Sequence, residues 1–233
     1  MKTIIAIGGG ELREKTTLLI DEYIVNLAKQ KVTDRRLNAL FIPTASHDFM
    51  PYYNSFHKIY TGNFNVKTDV ALTVFKQPDL NKIAEKFEKA DIVYIGGGDT
   101  VFMMDHWKKS GLLLLIKSAY ERGTIIAGVS AGAICWFTDI YTDSLKTENG
   151  DKYAMFQGLG WLKGVVSPHY NQRLNDFDEI VVNRFDKAIG IEDNVALLIQ
   201  DEKIVGTISS GGNAYALKKV NGLLEKERFN QLN

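Results

Sequence analysis

Residues 124–136 read TIIAGVSAGAICW. A short apolar run rich in β-branched residues passes through glycine, valine and serine into small residues. Such a run reads as a buried strand, and the Gly-x-Ser-x-Gly that closes it reads as a sharp turn into a helix with Ser130 at its tip. Gly128 and Gly132 would permit the strained backbone that exposes a nucleophilic hydroxyl. A tight β-α turn assembled from small residues would look the same, so the surrounding chain has to decide between the two readings.

Working outward, TIIAI at 3–7 and LNALFIP at 37–43 read as buried strands, and Leu12, Leu19, Tyr23 and Leu27 recur between them near helical spacing. VKTDVALTV at 66–74 and ADIVYI at 90–95 read as further strands, with LNKIAEKFEKA between them as an amphipathic helix. TVFMMDHWKKSG and LLLLIKSAYERG suggest two successive helices before the strand that leads to Ser130. Almost continuously apolar strands alternating with helices predict an α/β fold: a mostly parallel central sheet with helices on both faces. Such sheets bind ligands at the carboxyl ends of their strands. Three glycine-rich turns fall there: IGGGE after the first strand, IGGGDT at 95–100, and GVSAG at 128–132. Beyond residue 140 the pattern is irregular, until VALLIQ, KIVGTISS and AYALKKV between 195 and 220 read as short antiparallel strands with turns at DE and GGN.

The chain has 233 residues and is 45% hydrophobic, enough for one sizeable core, and no repeat or linker divides it, so residues 1–233 are expected to form a single domain. Twenty-eight basic residues balance twenty-eight acidic ones. No broad cationic field is available for nucleic acid or an anionic membrane, which leaves a small molecule as the expected partner. The one cysteine, Cys135, excludes an internal disulfide, forms no zinc signature and reads as core. It fits a reducing cytoplasm. The apolar stretch in MKTIIAIGGGEL is too short for a signal peptide, and no segment approaches a membrane span, so the expectation is a soluble, unprocessed chain.

A serine at its ordinary pKa needs a base, and the base needs an acid to orient it. The chain has four histidines. His57, in NSFHKIY, reads as a loop residue and His106 as part of a helix beside Trp107; both suit structural roles. His47, in TASHDF, lies near the sheet's ligand-binding edge. His169, in VVSPHYNQR, follows an apolar run and a proline that fixes the local chain, and it ranks first.

Together, IGGG near the N-terminus, IGGGDT in the middle, the GVSAGA elbow and SPHY downstream resemble the peptidase E family of serine peptidases, which also includes the cyanophycinases. The resemblance runs from Ile7 to about Leu198. It implies a class I glutamine-amidotransferase-like three-layer α/β sandwich. It also implies Ser130 as nucleophile, His169 as general base, and backbone amides of Gly98 and Ala131 as the oxyanion hole, with no metal or organic cofactor. For the third member it implies an acid between serine and histidine. Asp139, Asp143, Glu148 and Asp151 lie there, and Glu148 stands nearest the family position; Glu192, just before a strand, is the reserve.

The substrate that the resemblance implies is a small aspartyl-containing peptide, either an Asp-Xaa dipeptide or a β-aspartyl unit. Asp99 is placed to pair a substrate ammonium or basic group. The peptidase E pattern has asparagine there, so GGGDT is closer to the cyanophycinases. Arg173 would meet a substrate carboxylate, with a surface ion pair to Asp176 or Asp178 as its bland alternative, and Thr100 would contact substrate or cap a helix. Glu11, after the first GGG, reads as a structural group at a helix N-terminus. Where the chain assembles, the partner expected is a second copy in a homodimer. The rival readings are an esterase or amidase of the α/β-hydrolase type and a non-catalytic ligand-binding protein on the same shell. The separation of 39 positions from Ser130 to His169 leaves too little chain for the first, and the presence of both residues argues against the second.

Overall fold

The computed structural model describes residues 1–75, 78–144 and 152–232. Along the chain come β1 (Thr3–Ile7), α1 (Leu18–Lys29), β2 (Asn38–Ile42), α2 (Met50–Phe64), β3 (Lys67–Val70), α3 (Leu80–Lys89), β4 (Ile92–Ile95), α4 (Thr100–Ser110), α5 (Leu112–Glu121) and β5 (Ile125–Val129). Then follow α6 (Ala131–Ile134), β6 (Phe137–Thr142), β7 (Ala154–Gln157), β8 (Leu162–Ser167), α7 (Tyr170–Arg184), β9 (Lys187–Ile191), β10 (Val195–Gln200), β11 (Lys203–Ser209), β12 (Ala214–Val220) and β13 (Leu223–Arg228).

The strands form a seven-stranded sheet in the order β11-β10-β1-β5-β4-β2-β3 and a six-stranded sheet in the order β13-β12-β9-β8-β6-β7. In the larger sheet β1, β5, β4, β2 and β3 run parallel, and β10 and β11 extend it antiparallel. This is the expected mostly parallel α/β sheet, with the expected hairpin turning at Asp201 and Glu202, both at positive φ.

Period-two alternation sorts each central strand onto two cores. Ile5 and Ile7 of β1, with Phe41, Tyr94 and Ala127, face α1 and α2. Ile4 and Ala6, with Ile95 and Ile126, face α3 to α5 in a second cluster that also takes in Ile140, Val166 and Ile191 of the smaller sheet. Helices therefore cover both faces of the parallel strands, and one continuous apolar cluster ties the sheets together. On its far side the smaller sheet carries α7 through Phe177, Val181 and Leu217.

Several local expectations change. The stretch beyond residue 140, which reads as irregular, holds the end of β6 and all of β7 and β8. These strands are short and interrupted by polar residues, and a bulge breaks the β6–β8 register between Phe137 and Asp139. His57 lies in α2, not in a loop. The helix after β1 starts only at Leu18 and buries Ile20, Ile24 and Ala28; Leu19 is exposed, and Leu12 is buried in the preceding loop. Cys135 is fully buried in the core, and burial pushes its thiol well up. No helix among the described residues is long and apolar enough to cross a membrane.

Candidate functional site

Three turns at the carboxyl ends of neighbouring strands converge on Ser130. Its backbone has φ 52° and ψ −109°, a region costly for a non-glycine residue by about 1–3 kcal/mol. The strain is held from both sides: the Ser130 amide donates to Ile7 O at 2.9 Å, and Ser130 O accepts from Ala133 N and Ile134 N. A Cβ on Gly128 would lie 2.2 Å from Gly132 O, and one on Gly132 would lie 2.5 Å from Ile95 O. Both glycines of the elbow are thus required by close backbone approach, which is why the pattern was readable in sequence.

His169 begins the chain into α7 in a left-handed conformation (φ 48°, ψ 39°), its amide donating to Gly8 O at 3.1 Å. That bond ties the SPH segment to the first glycine turn. His169 Nε2 lies 2.9 Å from Ser130 Oγ, and Nδ1 lies 2.6 Å from Asp193 Oδ1. The other Asp193 oxygen accepts from Asn171 Nδ2 at 3.0 Å and Gln172 Nε2 at 2.7 Å. The Asp193 amide returns a bond to Asn171 Oδ1 at 3.0 Å. Burial pushes the Asp193 carboxyl up, but the hydrogen bonds from His169, Asn171 and Gln172 and the charge of His169 outweigh it and hold the group at about 2. The carboxylate is therefore ionised and accepts the Nδ1 proton. In the neutral ring with its proton on Nδ1, Nε2 faces Ser130 Oγ as an acceptor for the hydroxyl proton.

The IGGGDT turn supplies the opposite wall. A Cβ on Gly97 would stand 3.3 Å from Ser130 Cβ, so this turn lies directly beside the serine. Gly98 has φ +139°, and a Cβ there would meet Ala45 O at 2.2 Å; no other residue fits. Among the described residues neither the Gly98 amide nor the Ala131 amide has a hydrogen-bond acceptor. Both flank Ser130, one across the cleft and one as its chain neighbour, and together they can hold a negatively charged oxygen.

The cleft in front of them has a volume of 430 Å³ and is walled by Glu11 and Arg13 from the β1–α1 loop and by Phe49 and Tyr52 at the start of α2. It is of the size that holds a small ligand. Among the described residues no cluster of His, Cys, Asp and Glu is arranged to hold a metal ion.

The structure thus brings together Ser130, His169, Gly98 and Ala131, and gives Glu192, Arg173, Asp99 and Thr100 partners of their own. The acid on His169 is Asp193, which the sequence reading passed over. Glu148 lies outside the described residues. Glu192, the reserve, turns away, its carboxylate accepting from Asn213 N at 2.8 Å. Arg173 is only 4% exposed: Nη1 donates to Tyr141 O at 2.9 Å, Nη2 pairs with Asp143 at 3.6 Å, and the guanidinium lies over Tyr153. It braces the smaller sheet, because α7 turns this residue toward β6, and it is not among the residues that wall the cleft in front of Ser130. Asp99 caps α4, accepting from Phe102 N at 3.0 Å. Thr100 is buried, its hydroxyl 3.3 Å from that of Thr142. The His47 ring lies tilted against that of Phe102, and His106 bonds Thr73. Asp193 left one usable signal in the sequence: His169 is followed by Asn171 and Gln172, two amide donors suited to gripping a single carboxylate.

Comparison with known proteins agrees with this architecture. The model of peptidase family S51 matches residues 4–207. The uncharacterized peptidase YgaJ of Bacillus subtilis is 32% identical, across 94% of this chain and 92% of its own length. Peptidase E of Shewanella amazonensis is 26% identical across 80% of each chain. Among solved structures, a peptidase from an acI-B1 Actinobacterium superimposes with a TM-score of 0.75 at 17% identity, covering 100% of this chain and 96% of that one. A putative peptidase E protein from Listeria monocytogenes superimposes with a TM-score of 0.62 at 19% identity, covering 88% and 97%. At those identities the structural likeness speaks for the fold alone.

Proposed function

The chain belongs to peptidase family S51, and on that premise we propose that it is a serine-type peptidase cleaving short aspartyl-containing peptides through an acyl-enzyme on Ser130. The observation that carries the serine mechanism is the unbroken hydrogen-bonded chain Ser130–His169–Asp193, with the serine on a strained elbow. Ser130 Oγ attacks the scissile carbonyl carbon and passes its proton to His169 Nε2. The carbonyl oxygen takes up the negative charge and receives the Gly98 and Ala131 amides. Asp193 keeps the ring oriented and stabilises it while protonated. As the C–N bond breaks, His169 gives the proton to the leaving amine; water then attacks the ester by the same steps in reverse.

The aspartyl preference rests on the resemblance to peptidase E, and the cleft is compatible with it. Arg13 supplies a cation on the cleft wall for a carboxylate, the role first expected of Arg173, and Glu11 supplies an anion for a substrate ammonium group. A panel of dipeptides tests this reading. Hydrolysis should be concentrated on Asp-Xaa or β-aspartyl members and vanish in Ser130→Ala. Equal turnover of neutral and aspartyl dipeptides would remove the specificity claim, and turnover surviving in Ser130→Ala would remove the mechanism.

A further inference from the structure

Tyr52 sits at the start of α2 with its ring edge-on to Phe41, centroids 5.1 Å apart. Its hydroxyl reaches the turn that carries Gly98. The Gly97 amide donates to the Tyr52 hydroxyl oxygen at 3.2 Å, and a Cβ on Gly96 would come within 2.8 Å of Tyr52 Cε1. Ring and hydroxyl together thus hold two consecutive residues of the turn. The same tyrosine walls the cleft in front of Ser130 and His169.

The turn is pinned at its ends by backbone bonds, Gly96 N to Ile42 O at 3.1 Å and Asp99 N to Ala45 O at 2.8 Å. Between them the Gly97 amide has Tyr52 as its acceptor. Three glycines in succession have no side chains to restrict rotation. The direction of the Gly98 N–H depends on where Gly97 Cα is held, and therefore on this bond.

We propose that Tyr52 is a positioning residue for the oxyanion hole, fixing through Gly97 the direction in which the Gly98 amide points. This rests on the reading of Ser130 as nucleophile. It adds a component from a helix outside the four glycine, serine and histidine motifs. Burial above all, offset by the bond from Gly97 and reinforced by the negative charges of Glu11 and Asp21, raises the phenol's pKa. The hydroxyl stays protonated and its oxygen remains a neutral acceptor for the amide throughout the working range.

The test is the second-order rate of Ser130 phosphonylation by a fluorophosphonate probe, whose P–O group occupies the oxyanion site as the adduct forms. Wild type, Tyr52→Phe and Tyr53→Phe are compared across pH. Tyr53 is the control because its hydroxyl bonds Thr68 of β3 and not the glycine turn. Tyr52→Phe should react about tenfold or more slowly at every pH, within the loss produced by removing one oxyanion donor, with the pH midpoint of wild type. Tyr53→Phe should react at the wild-type rate. A partly unfolded variant shows as a lower labelling amplitude, which separates folding from positioning. An unchanged rate in Tyr52→Phe, or a slowed rate with a displaced pH midpoint, would overturn the role of Tyr52 alone. Failure of wild type to label would instead overturn the nucleophile reading beneath it.

Discussion

Asp193 Oδ1 lies 2.6 Å from His169 Nδ1, and the other oxygen of the same carboxylate is gripped by Asn171 and Gln172 from the first turn of α7. One carboxylate thus fixes the ring and the start of the helix that delivers it. Replacing it should be costly for chemistry and modest for the fold. Asp193→Asn is expected to lower kcat by about 10³–10⁴-fold, because an amide no longer enforces the tautomer that leaves Nε2 free. Steady-state kinetics on the best dipeptide measures this; a loss below tenfold would reassign the acid.

The first glycine turn is packed against this pair. A Cβ on Gly9 would stand 1.9 Å from Asp193 Oδ1 and 2.4 Å from His169 Nδ1. Gly9→Ala should therefore push the two side chains apart, reducing kcat by about a hundredfold or more, while thermal melting changes little because side chains, not backbone, yield. Wild-type kcat in Gly9→Ala would contradict the placement.

Arg173 gives the opposite pattern. Arg173→Met leaves the cleft intact but removes the bond to Tyr141 O and the pairing with Asp143. Stability should fall by about 2–4 kcal/mol in urea titration, with KM unchanged in the folded protein. A raised KM at unaltered stability would restore Arg173 as a substrate residue.

Asp21 tests the electrostatics of the core beneath the cleft. It is 1% exposed, and burial raises its carboxyl to about 7, opposed by hydrogen bonds from Thr17 and Tyr60. A carboxyl with a raised folded pKa stabilises the fold fully below about pH 4, where the unfolded chain is also protonated. That contribution is lost as pH rises to about 7. Asp21→Asn, which keeps the shape of the neutral acid, should therefore match wild type near pH 4 and exceed it by a few kcal/mol at pH 8. Urea titrations at both values decide it. A single transition is expected, since one apolar cluster runs through both sheets. A wild type that gains stability relative to Asp21→Asn as pH rises would contradict the sign.

What could be read from sequence follows from what is local. The elbow, the IGGGDT turn and the SPH segment are legible because backbone crowding and left-handed conformations restrict residue choice at those positions. The central parallel strands β1, β2, β4 and β5 are legible because burial on both faces makes them almost continuously apolar. Asp193 is not legible in that way. Glu192 and Asp193 are adjacent carboxylates in one loop, and only the folded turn sends the first to Asn213 and the second to His169. Of the smaller sheet, β12 was legible as AYALKKV, whereas β6 and β8 escaped because FTDIYT and LKGVVS mix polar and apolar residues without clean alternation. In α2, the aromatic run MPYYNSFHKIYTGNF carries weak helical propensity and forms by packing Phe56 and Tyr60 onto the sheet.

The central claim, that Ser130 is a nucleophile activated by His169, is tested most directly by mapping a fluorophosphonate adduct by peptide mass spectrometry. One adduct, on Ser130, is expected in wild type and none in His169→Ala. An unmodified wild type, or an adduct that forms equally without His169, would contradict it.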